Sequence, residues 1–157
     1  MKKLIFTLLL VTVISLASNA QSRVGVGLAY GAEIESAGIG VNGEFAASSQ
    51  INIAPSFIYY FKKDNVTWWE LNGNINYIFS ENSATIYGIA GLNLTGVSVD
   101  LSDFGGGKQS DSELGLNIGI GANFDTGGSL MPFAEAKYVL GNADQLSLFG
   151  GVRFPLN

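Results

Sequence analysis

The sequence contains no cysteine and no histidine, and only 13% of its 157 residues are charged. Without cysteine, no disulfide framework can stabilise the fold, so packing or closure of the chain must do so. Without histidine, the chain cannot build the relay in which a histidine works beside a serine or an aspartate. We therefore expect no enzyme activity, no catalytic residue, no cofactor and no metal site.

The balance of charge is acidic, with 13 aspartates and glutamates against 8 lysines and arginines. Nucleic acids select basic faces, so the sequence argues against a nucleic-acid partner. The chain also has 21 glycines and lacks any stretch of helical periodicity. This composition indicates an all-β protein whose surroundings are not only water.

The N-terminus has the order of a secretory signal peptide. A short basic segment precedes an apolar run from Leu4 to Leu16, and small residues follow at 18–20. The run is shorter than the ~20 apolar residues that a transmembrane helix needs. We expect residues 1–20 to be cleaved and residues 21–157 to form one domain.

The segment from Trp69 to Phe79 separates into two chemically opposite rows at a period of two. Its odd positions carry apolar residues and one glycine, and its even positions begin with Glu70 followed by three asparagines. Since side chains alternate across a strand, one face suits hydrocarbon and the other suits a polar interior. A strand that spans a membrane needs ~9–11 residues, which is the length of this segment.

Seven further segments carry an apolar row of the same kind, and no row contains a charged residue. These rows begin at Val24, Ile39, Ile51, Ile86, Leu114, Leu130 and Leu146. The opposite rows are poor in charge, unlike the solvated face of a soluble antiparallel sheet. The eight segments predict an all-β fold, a single eight-stranded antiparallel up-and-down transmembrane β-barrel.

The connections between the segments predict an orientation. Short connections at 47–50, 80–83 and 125–129 alternate with others, of which only the one at 98–112 is long. Outer-membrane barrels place short turns in the periplasm and longer loops outside, so we expect both termini in the periplasm. Phe104, at the tip of the long loop, is the predicted contact for a surface partner.

Two prolines, Pro55 and Pro132, lie inside otherwise continuous apolar rows. Proline cannot donate to a strand ladder, and within sheets it is confined to edges, strand starts and bulges. We expect a bulge at each.

Aromatic residues on the apolar rows cluster near strand ends, as in the two aromatic girdles of membrane barrels. The outer girdle is expected from Tyr30, Tyr59, Trp69 and Tyr138, and the inner girdle from Phe45, Tyr77, Phe79, Phe124 and Phe154. The middles of the segments hold aliphatic residues and glycine. The aromatic rings therefore bracket the band that would meet hydrocarbon.

The few charged residues of the inward rows predict a charge network in the lumen. Its expected members are Arg23, Glu44, Glu70, Glu113, Glu135, Lys137 and Arg153. Arg23 and Arg153 should meet Glu44 near the periplasmic end. Lys137 should meet Glu113 and Glu70 nearer the outer end. Buried charges are tolerated when they are paired, so we favour a structural role over catalysis by two carboxylates.

Together these features resemble the small eight-stranded outer-membrane β-barrels of Gram-negative bacteria, the porin-like, opacity and adhesin-type families. The most specific piece is Leu148-Phe149-Gly150-Gly151-Val152-Arg153-Phe154, similar to the final strand by which such barrels are recognised for assembly. The family's chains usually end on an aromatic residue, whereas this one continues with Pro155-Leu156-Asn157. The resemblance implies residence in the outer membrane, contact with its lipid, and assembly by the barrel insertion machinery.

An eight-stranded barrel is just wide enough for its own side chains to fill, so we expect no open pore. The leading hypothesis is a monomeric, non-enzymatic outer-membrane protein with a structural or adhesin-like surface-interaction role, whose partner the sequence does not identify. Two alternatives stay open. One is a narrow porin-like channel for small solutes, and the other is a soluble lipocalin-like carrier whose apolar rows turn inward around a ligand.

Overall fold

The computed structural model describes residues 22–102 and 105–156. The predicted signal peptide and Phe104 lie outside the described residues. Eight strands make up most of the described chain: β1 (Ser22–Gly31), β2 (Ser36–Ala46), β3 (Ile51–Tyr60), β4 (Val66–Glu81), β5 (Ala84–Asp100), β6 (Lys108–Phe124), β7 (Met131–Leu140) and β8 (Gln145–Pro155). Within these ranges, no helix has the length and apolar character to cross a membrane.

The strands form one closed antiparallel barrel in chain order. Each strand pairs with the next, and β1 also pairs with β8. Val26 of β1, for example, lies opposite Val41 of β2 on one side and Val152 of β8 on the other. The predicted all-β fold of eight up-and-down antiparallel strands in one ring is confirmed.

Buried and exposed side chains alternate along the strands in the predicted rows. On β4, Ile75 is 54% exposed, whereas its neighbour Asn76 is 1% exposed. Large apolar side chains cover the outside, and the inside carries asparagines, paired charges and a few aromatic rings. The lipocalin-like alternative is wrong in this respect, because it required the apolar rows to line an internal cavity.

The barrel has two ends, which we name by their connections. The turn end carries both ends of the described chain and the connections at 47–50, 82–83 and 125–130. The loop end carries the connections at 32–35, 61–65, 101–107 and 141–144. The long loop predicted at 98–112 is shorter than expected, because β5 and β6 stay paired as far as Asp100 and Lys108. Val99, which favours extended backbone, lies in this added length of β5.

The bulges expected at Pro55 and Pro132 do not occur, since the register is the same on both sides of each proline. Pro55 stays opposite Gly73 of β4. On its other side, the ladder between β3 and β2 is interrupted at Pro55, so the backbone N–H that proline lacks is not needed there. Pro132 is the second residue of β7 and lies beyond the last pair of the β6–β7 ladder. One register shift does occur in the β4–β5 ladder, at Phe79.

Candidate functional site: the barrel lumen

A buried ion pair crosses the lumen nearer the loop end. Lys137 Nζ of β7 lies 2.7 Å from Glu70 Oε2 of β4, and the two side chains are 5% and 0% exposed. Glu70 also accepts hydrogen bonds from the Tyr60 hydroxyl at 2.9 Å and from the Gln145 amide. Lys137 donates a second bond to Asn72 Oδ1 at 2.9 Å. We call these five residues the loop-end cluster. Each of its charges has an opposite charge and further hydrogen bonds, as a charge removed from water requires.

Asparagine amides extend the loop-end cluster around the inner wall. Asn72 Oδ1 accepts hydrogen bonds from Asn93 Nδ2 and Asn117 Nδ2, each at 2.8 Å. Asn117 also donates to Asn74 Oδ1 at 2.7 Å, and the Thr95 hydroxyl donates to Asn93 Oδ1 at 2.6 Å. These bonds join β4, β5 and β6 from inside, and the lysine adds β7.

A second cluster lies nearer the turn end and is centred on Arg153, which is 0% exposed. Its guanidinium nitrogens lie 2.8 Å from Glu44 Oε2 and 2.6 Å from Glu135 Oε1. The same group donates to the Tyr87 hydroxyl at 3.0 Å and to Asn123 Oδ1. We call these five residues the turn-end cluster. A single arginine on β8 thereby joins β2, β5, β6 and β7.

Arg23 adds a second cation to the turn-end cluster, with Nη1 2.7 Å from Glu44 Oε1. Two arginines therefore face two carboxylates, and the formal charges cancel. The Phe133 ring completes the surroundings of Arg153, with its centroid 4.2 Å from the guanidinium carbon. This distance is that of a cation–π contact. The cluster neutralises its charges within itself.

Six of the seven residues predicted for the lumen network form ion pairs in the structure, two in the loop-end cluster and four at the turn-end cluster. Glu113 lies apart from both. Glu113 lies opposite Thr95, whereas Lys137 lies opposite Gly119, which is six residues along β6 from Glu113. At about 3.3 Å per residue this is roughly 20 Å along the strand, beyond the reach of a lysine side chain. The expected contact between Glu113 and Lys137 is wrong, because strands in a barrel are tilted and staggered.

Several uncharged members of the clusters are not predicted from the sequence as hydrogen-bond partners. They are Tyr60, Tyr87, Asn123 and Gln145. Ser147, outside the two clusters, is a further partner, with its hydroxyl 3.0 Å from that of Tyr60. The sequence predicts the two tyrosines only as bulky interior residues. The only sequence signal for these residues is parity, because each lies on the inward row of its strand. Parity gives the face of a residue but not the partner that its side chain reaches.

Apolar side chains occupy the interior between the two clusters. Ala29, Ile58, Phe133 and Phe149 form one buried group together with the Tyr60 ring. The rings of Phe133 and Phe149 meet edge to face, with centroids 5.1 Å apart. Because Phe133 also contacts Arg153 and Tyr60 also bonds Glu70, this apolar group bridges the turn-end and loop-end clusters.

Two asparagines of the inner wall differ from the rest. Asn42 and Asn76 are 7% and 1% exposed, yet neither side-chain oxygen nor nitrogen of either residue has a protein partner. Buried amides are ordinarily hydrogen-bonded to protein or to water. Asn76 lies opposite a further inward asparagine, Asn52. This part of the lumen is polar enough to hold ordered water.

The outward aromatic residues lie near both ends of the apolar outer surface. Tyr30, Tyr59, Tyr77, Phe79, Phe124 and Phe154 are 41–66% exposed. Phe45 differs, at 9%, because its ring lies over Gly43 beside Pro55. Trp69 is half-buried over Gly96 of β5, and Tyr138 is half-buried with its hydroxyl bonded to Asp144. A ring placed over glycine supplies contacts that glycine itself lacks.

The chemistry of the lumen is that of mutual neutralisation. The carboxylates of Glu44, Glu70 and Glu135 each lie within 2.8 Å of a cationic nitrogen. Over the part of the chain that the structure describes, no three histidine, cysteine, aspartate or glutamate side chains are placed to hold a metal ion. The arrangement joins strands that are distant in sequence.

No protein-family model matches the chain, and no curated protein matches it. Solved structures do match. The N-terminal β-barrel domain of OprF from Pseudomonas aeruginosa superposes with a TM-score of 0.70 over 88% of this chain and 98% of that one, at 18% identity. The chain has the fold of the small outer-membrane β-barrels. The resemblance inferred from the sequence is confirmed at the level of the fold.

Two further structures are similar over nearly their whole length. Ail, the attachment invasion locus protein of Yersinia pestis, matches with a TM-score of 0.61 at 18% identity, covering 86% of this chain and 99% of that one. Neisserial surface protein A matches with a TM-score of 0.61 at 18% identity, covering 87% and 96%. At such identities the likeness concerns the fold alone.

Proposed function

We propose that the protein is an outer-membrane β-barrel with a side-chain-filled lumen and a non-enzymatic role, structural or in surface interaction. The observation that carries this proposal is the inverted polarity of the barrel. Leu28 and Leu114 on the outside are 70% and 76% exposed, whereas Glu70 and Arg153 on the inside are 0% exposed. Soluble monomers rarely expose large apolar patches, and a closed barrel is one of two structures that can span hydrocarbon.

The filled lumen is supported by the contacts that cross it. The loop-end cluster connects β7 with β4. The turn-end cluster connects β6 with β2, with Asn123 Nδ2 3.1 Å from Glu44 Oε2. The apolar group around Phe149 lies between them. An eight-stranded barrel offers an interior about as wide as its side chains, so these contacts suffice to block a continuous path.

The orientation is proposed from the connections. Outer-membrane barrels place short turns in the periplasm and longer loops outside. The longest connection, together with the extended β5–β6 ladder that leads to it, lies at the loop end. This assigns the loop end to the cell surface, and the turn end with both termini to the periplasm. The signal peptide proposed at residues 1–20 would direct export, and β8 would be recognised by the barrel insertion machinery. Because every strand is paired within the ring, the barrel needs no second copy, which supports a monomer.

A narrow channel is the second candidate, and one observation favours it. The unpartnered amides of Asn42 and Asn76 are polar groups of the lumen wall that water would satisfy. Such water would have to connect past the ion pairs of both clusters to form a conducting path. We therefore rank the channel below the filled barrel.

Membrane residence is tested by fractionation of expressing cells, followed by gel electrophoresis in SDS with and without boiling. A barrel whose ring of strands is closed resists unfolding in detergent, so the unheated protein should migrate differently from the boiled protein. We expect the protein in the outer-membrane fraction. Recovery in the soluble fraction, with identical migration of both samples, would contradict the proposal.

Conductance in a planar lipid bilayer decides between the two candidates. The filled barrel should give no steady single-channel steps, and the channel should give reproducible ones. Phe149→Ala removes a ring from the lumen but keeps the ion pairs of both clusters, so in the filled barrel it should still give no steady steps. Phe154→Ala removes an outward ring and serves as the matched control. Steady steps from the wild-type protein would establish the channel instead.

A further inference from the structure

Three neighbouring strands extend beyond the others at the loop end. β4, β5 and β6 contain 16, 17 and 17 residues. The ladder between β5 and β6 reaches Asp100 and Lys108, whereas the ladder between β6 and β7 begins only at Leu116 and Leu140. Among the described residues, residues 108–115 of β6 therefore pair with another strand on one side only. We call residues 108–115 the free edge.

The opposite border of this extension is covered by the chain itself. Val66 at the start of β4 exchanges two backbone hydrogen bonds with Lys63, at 2.8 and 3.0 Å. The Asp100 amide donates to Asn65 O at 2.9 Å, which fixes the same connection against β5. The extension is thus a three-stranded sheet with one covered border and one open border.

Backbone amides of the free edge point to its open side. The Ser112 N–H donates to Asp111 Oδ1 at 2.8 Å, so a neighbouring side chain occupies it in place of a strand. In an antiparallel ladder, residues two apart direct their backbone groups to the same side. The Ser110 N–H therefore also points away from β5. Unpaired amides and carbonyls in a row form a template for a further strand.

Charge on the free edge is divided between its faces. Asp111 and Glu113 are two residues apart and share one face, while Lys108 lies on the other. Val97 and Val99 of β5 lie opposite Asp111 and Gln109 and are half-buried on the face of the two carboxylates. That face has carboxylates at its border, which can pair with the charged head of a lysine or arginine. Behind them lies aliphatic surface, which can contact the stem of the same side chain.

We propose that the free edge binds an extended basic segment of another protein by strand addition, with lysine or arginine at alternate positions facing Asp111 and Glu113. An incoming carbonyl would take the Ser112 amide, and the released Asp111 carboxylate would pair with a basic side chain. Backbone hydrogen bonds supply affinity in this mode, and alternate side chains supply specificity. The inference rests on the proposed membrane orientation, which puts the free edge outside the cell.

The test uses the mature protein in phosphatidylcholine nanodiscs, whose lipid carries no net charge. The probe is a fluorescent peptide of alternating lysine and threonine, and the measurement is fluorescence anisotropy. Two control peptides carry an N-methyl group on every second amide, one in each phase. Both control peptides keep the charge of the probe. In one of them the methyl groups replace the backbone N–H donors that would pair with the free edge, and in the other these donors remain. We expect one N-methylated peptide to lose binding and the other to retain most of it.

Three variants locate the site. Asp111→Asn and Glu113→Gln should each weaken binding about 1.5- to 5-fold, the effect of one exposed cross-strand charge pair. Glu81→Gln, at the turn end, is the matched control and should leave binding unchanged. Ser110→Pro removes an edge-facing amide and should abolish binding while the unheated protein keeps its gel mobility.

The outcomes separate this inference from the proposed function. If the protein enters nanodiscs and shows heat-dependent migration but does not bind the peptide, the inference alone is wrong. Equal binding by both N-methylated peptides would also overturn it, since charge attraction without pairing would then explain the affinity. If the protein fails to insert at all, the proposed membrane role fails with it.

Discussion

Lys137 and Glu70 join strands on opposite sides of the barrel, with Nζ and Oε2 2.7 Å apart across the lumen. They are 67 residues apart in the sequence. Both side chains are almost completely removed from solvent, so neither charge has water to replace a lost partner. The pair is therefore expected to behave as a unit, in which removal of one member leaves the other as an uncompensated buried charge.

Lys137→Met should destabilise the barrel by about 3–5 kcal/mol, because it leaves Glu70 unpaired. Adding Glu70→Gln should restore much of the loss, since the buried negative charge is then removed as well. Reversible urea unfolding from liposomes measures both changes. Glu113→Gln is the control and should change stability by no more than about 0.5 kcal/mol. A double variant as unstable as Lys137→Met alone would show that the ion pair is not the cause.

Ile75 and Asn76 test the assignment of faces, because register fixes which face each residue meets. Ile75→Arg places a charge on the outer surface near the middle of the apolar band, at an expected cost of about 2–4 kcal/mol. Asn76→Ser keeps a polar group in the polar interior and loses no protein hydrogen bond, so it should cost far less. Unfolding from liposomes gives the comparison. A larger loss for Asn76→Ser would mean that the two faces are exchanged.

Gly151 tests the closure of the ring between its first and last strands. It lies opposite Gly27, and a Cβ at this position would collide with the Val26 carbonyl oxygen and with Gly27 itself. Gly151→Ala should therefore push β1 and β8 apart at a cost of about 1–3 kcal/mol. At Gly73 a Cβ has nothing within 4 Å, so Gly73→Ala is the matched control and should be neutral or stabilising. Heat-dependent gel migration of both variants, followed over temperature, checks the difference.

Glu35 and Lys63 give a test by titration in the loop-end connections. Hydrogen bonding and charge attraction from Lys63, 2.8 Å away, lower the pKa of Glu35. The unfolded chain therefore takes up this proton at a higher pH than the folded chain does. The contribution is present at neutral pH and is lost as the pH falls through the lowered value. An NMR titration in nanodiscs should show a lowered pKa for Glu35 that returns to the ordinary range in Lys63→Gln.

The period of two explains why so much of the fold follows from the sequence. Rows such as Trp69 to Phe79 indicate which residues face outward. Eight such rows in succession predict eight strands, the number of a small closed barrel. The depth of a residue does not follow in the same way, because it depends on strand stagger. For this reason the sequence predicts Glu113 beside Lys137, whereas in the structure Glu113 lies six residues along β6 from Gly119, the residue opposite Lys137.

Side-chain reach is the second quantity that parity cannot supply. Tyr60 and Gln145 are inward residues by their rows, but their bonds to Glu70 depend on how far each side chain extends across a narrow lumen. Phe45 is outward by its row and still buried, because its ring turns over Gly43. Contacts of this kind depend on rotamers and on the neighbouring strand, which single-strand patterns do not contain.

The most direct test of the membrane-spanning barrel is a cysteine scan of β4 from Trp69 to Phe79. The chain has no natural cysteine, so each introduced residue can carry a spin label without background. Electron paramagnetic resonance in liposomes then measures collisions of each label with oxygen, which concentrates in hydrocarbon. The barrel predicts high oxygen accessibility at the odd positions and low accessibility at the even positions. A profile without this period, or with high accessibility at the even positions, would contradict the account.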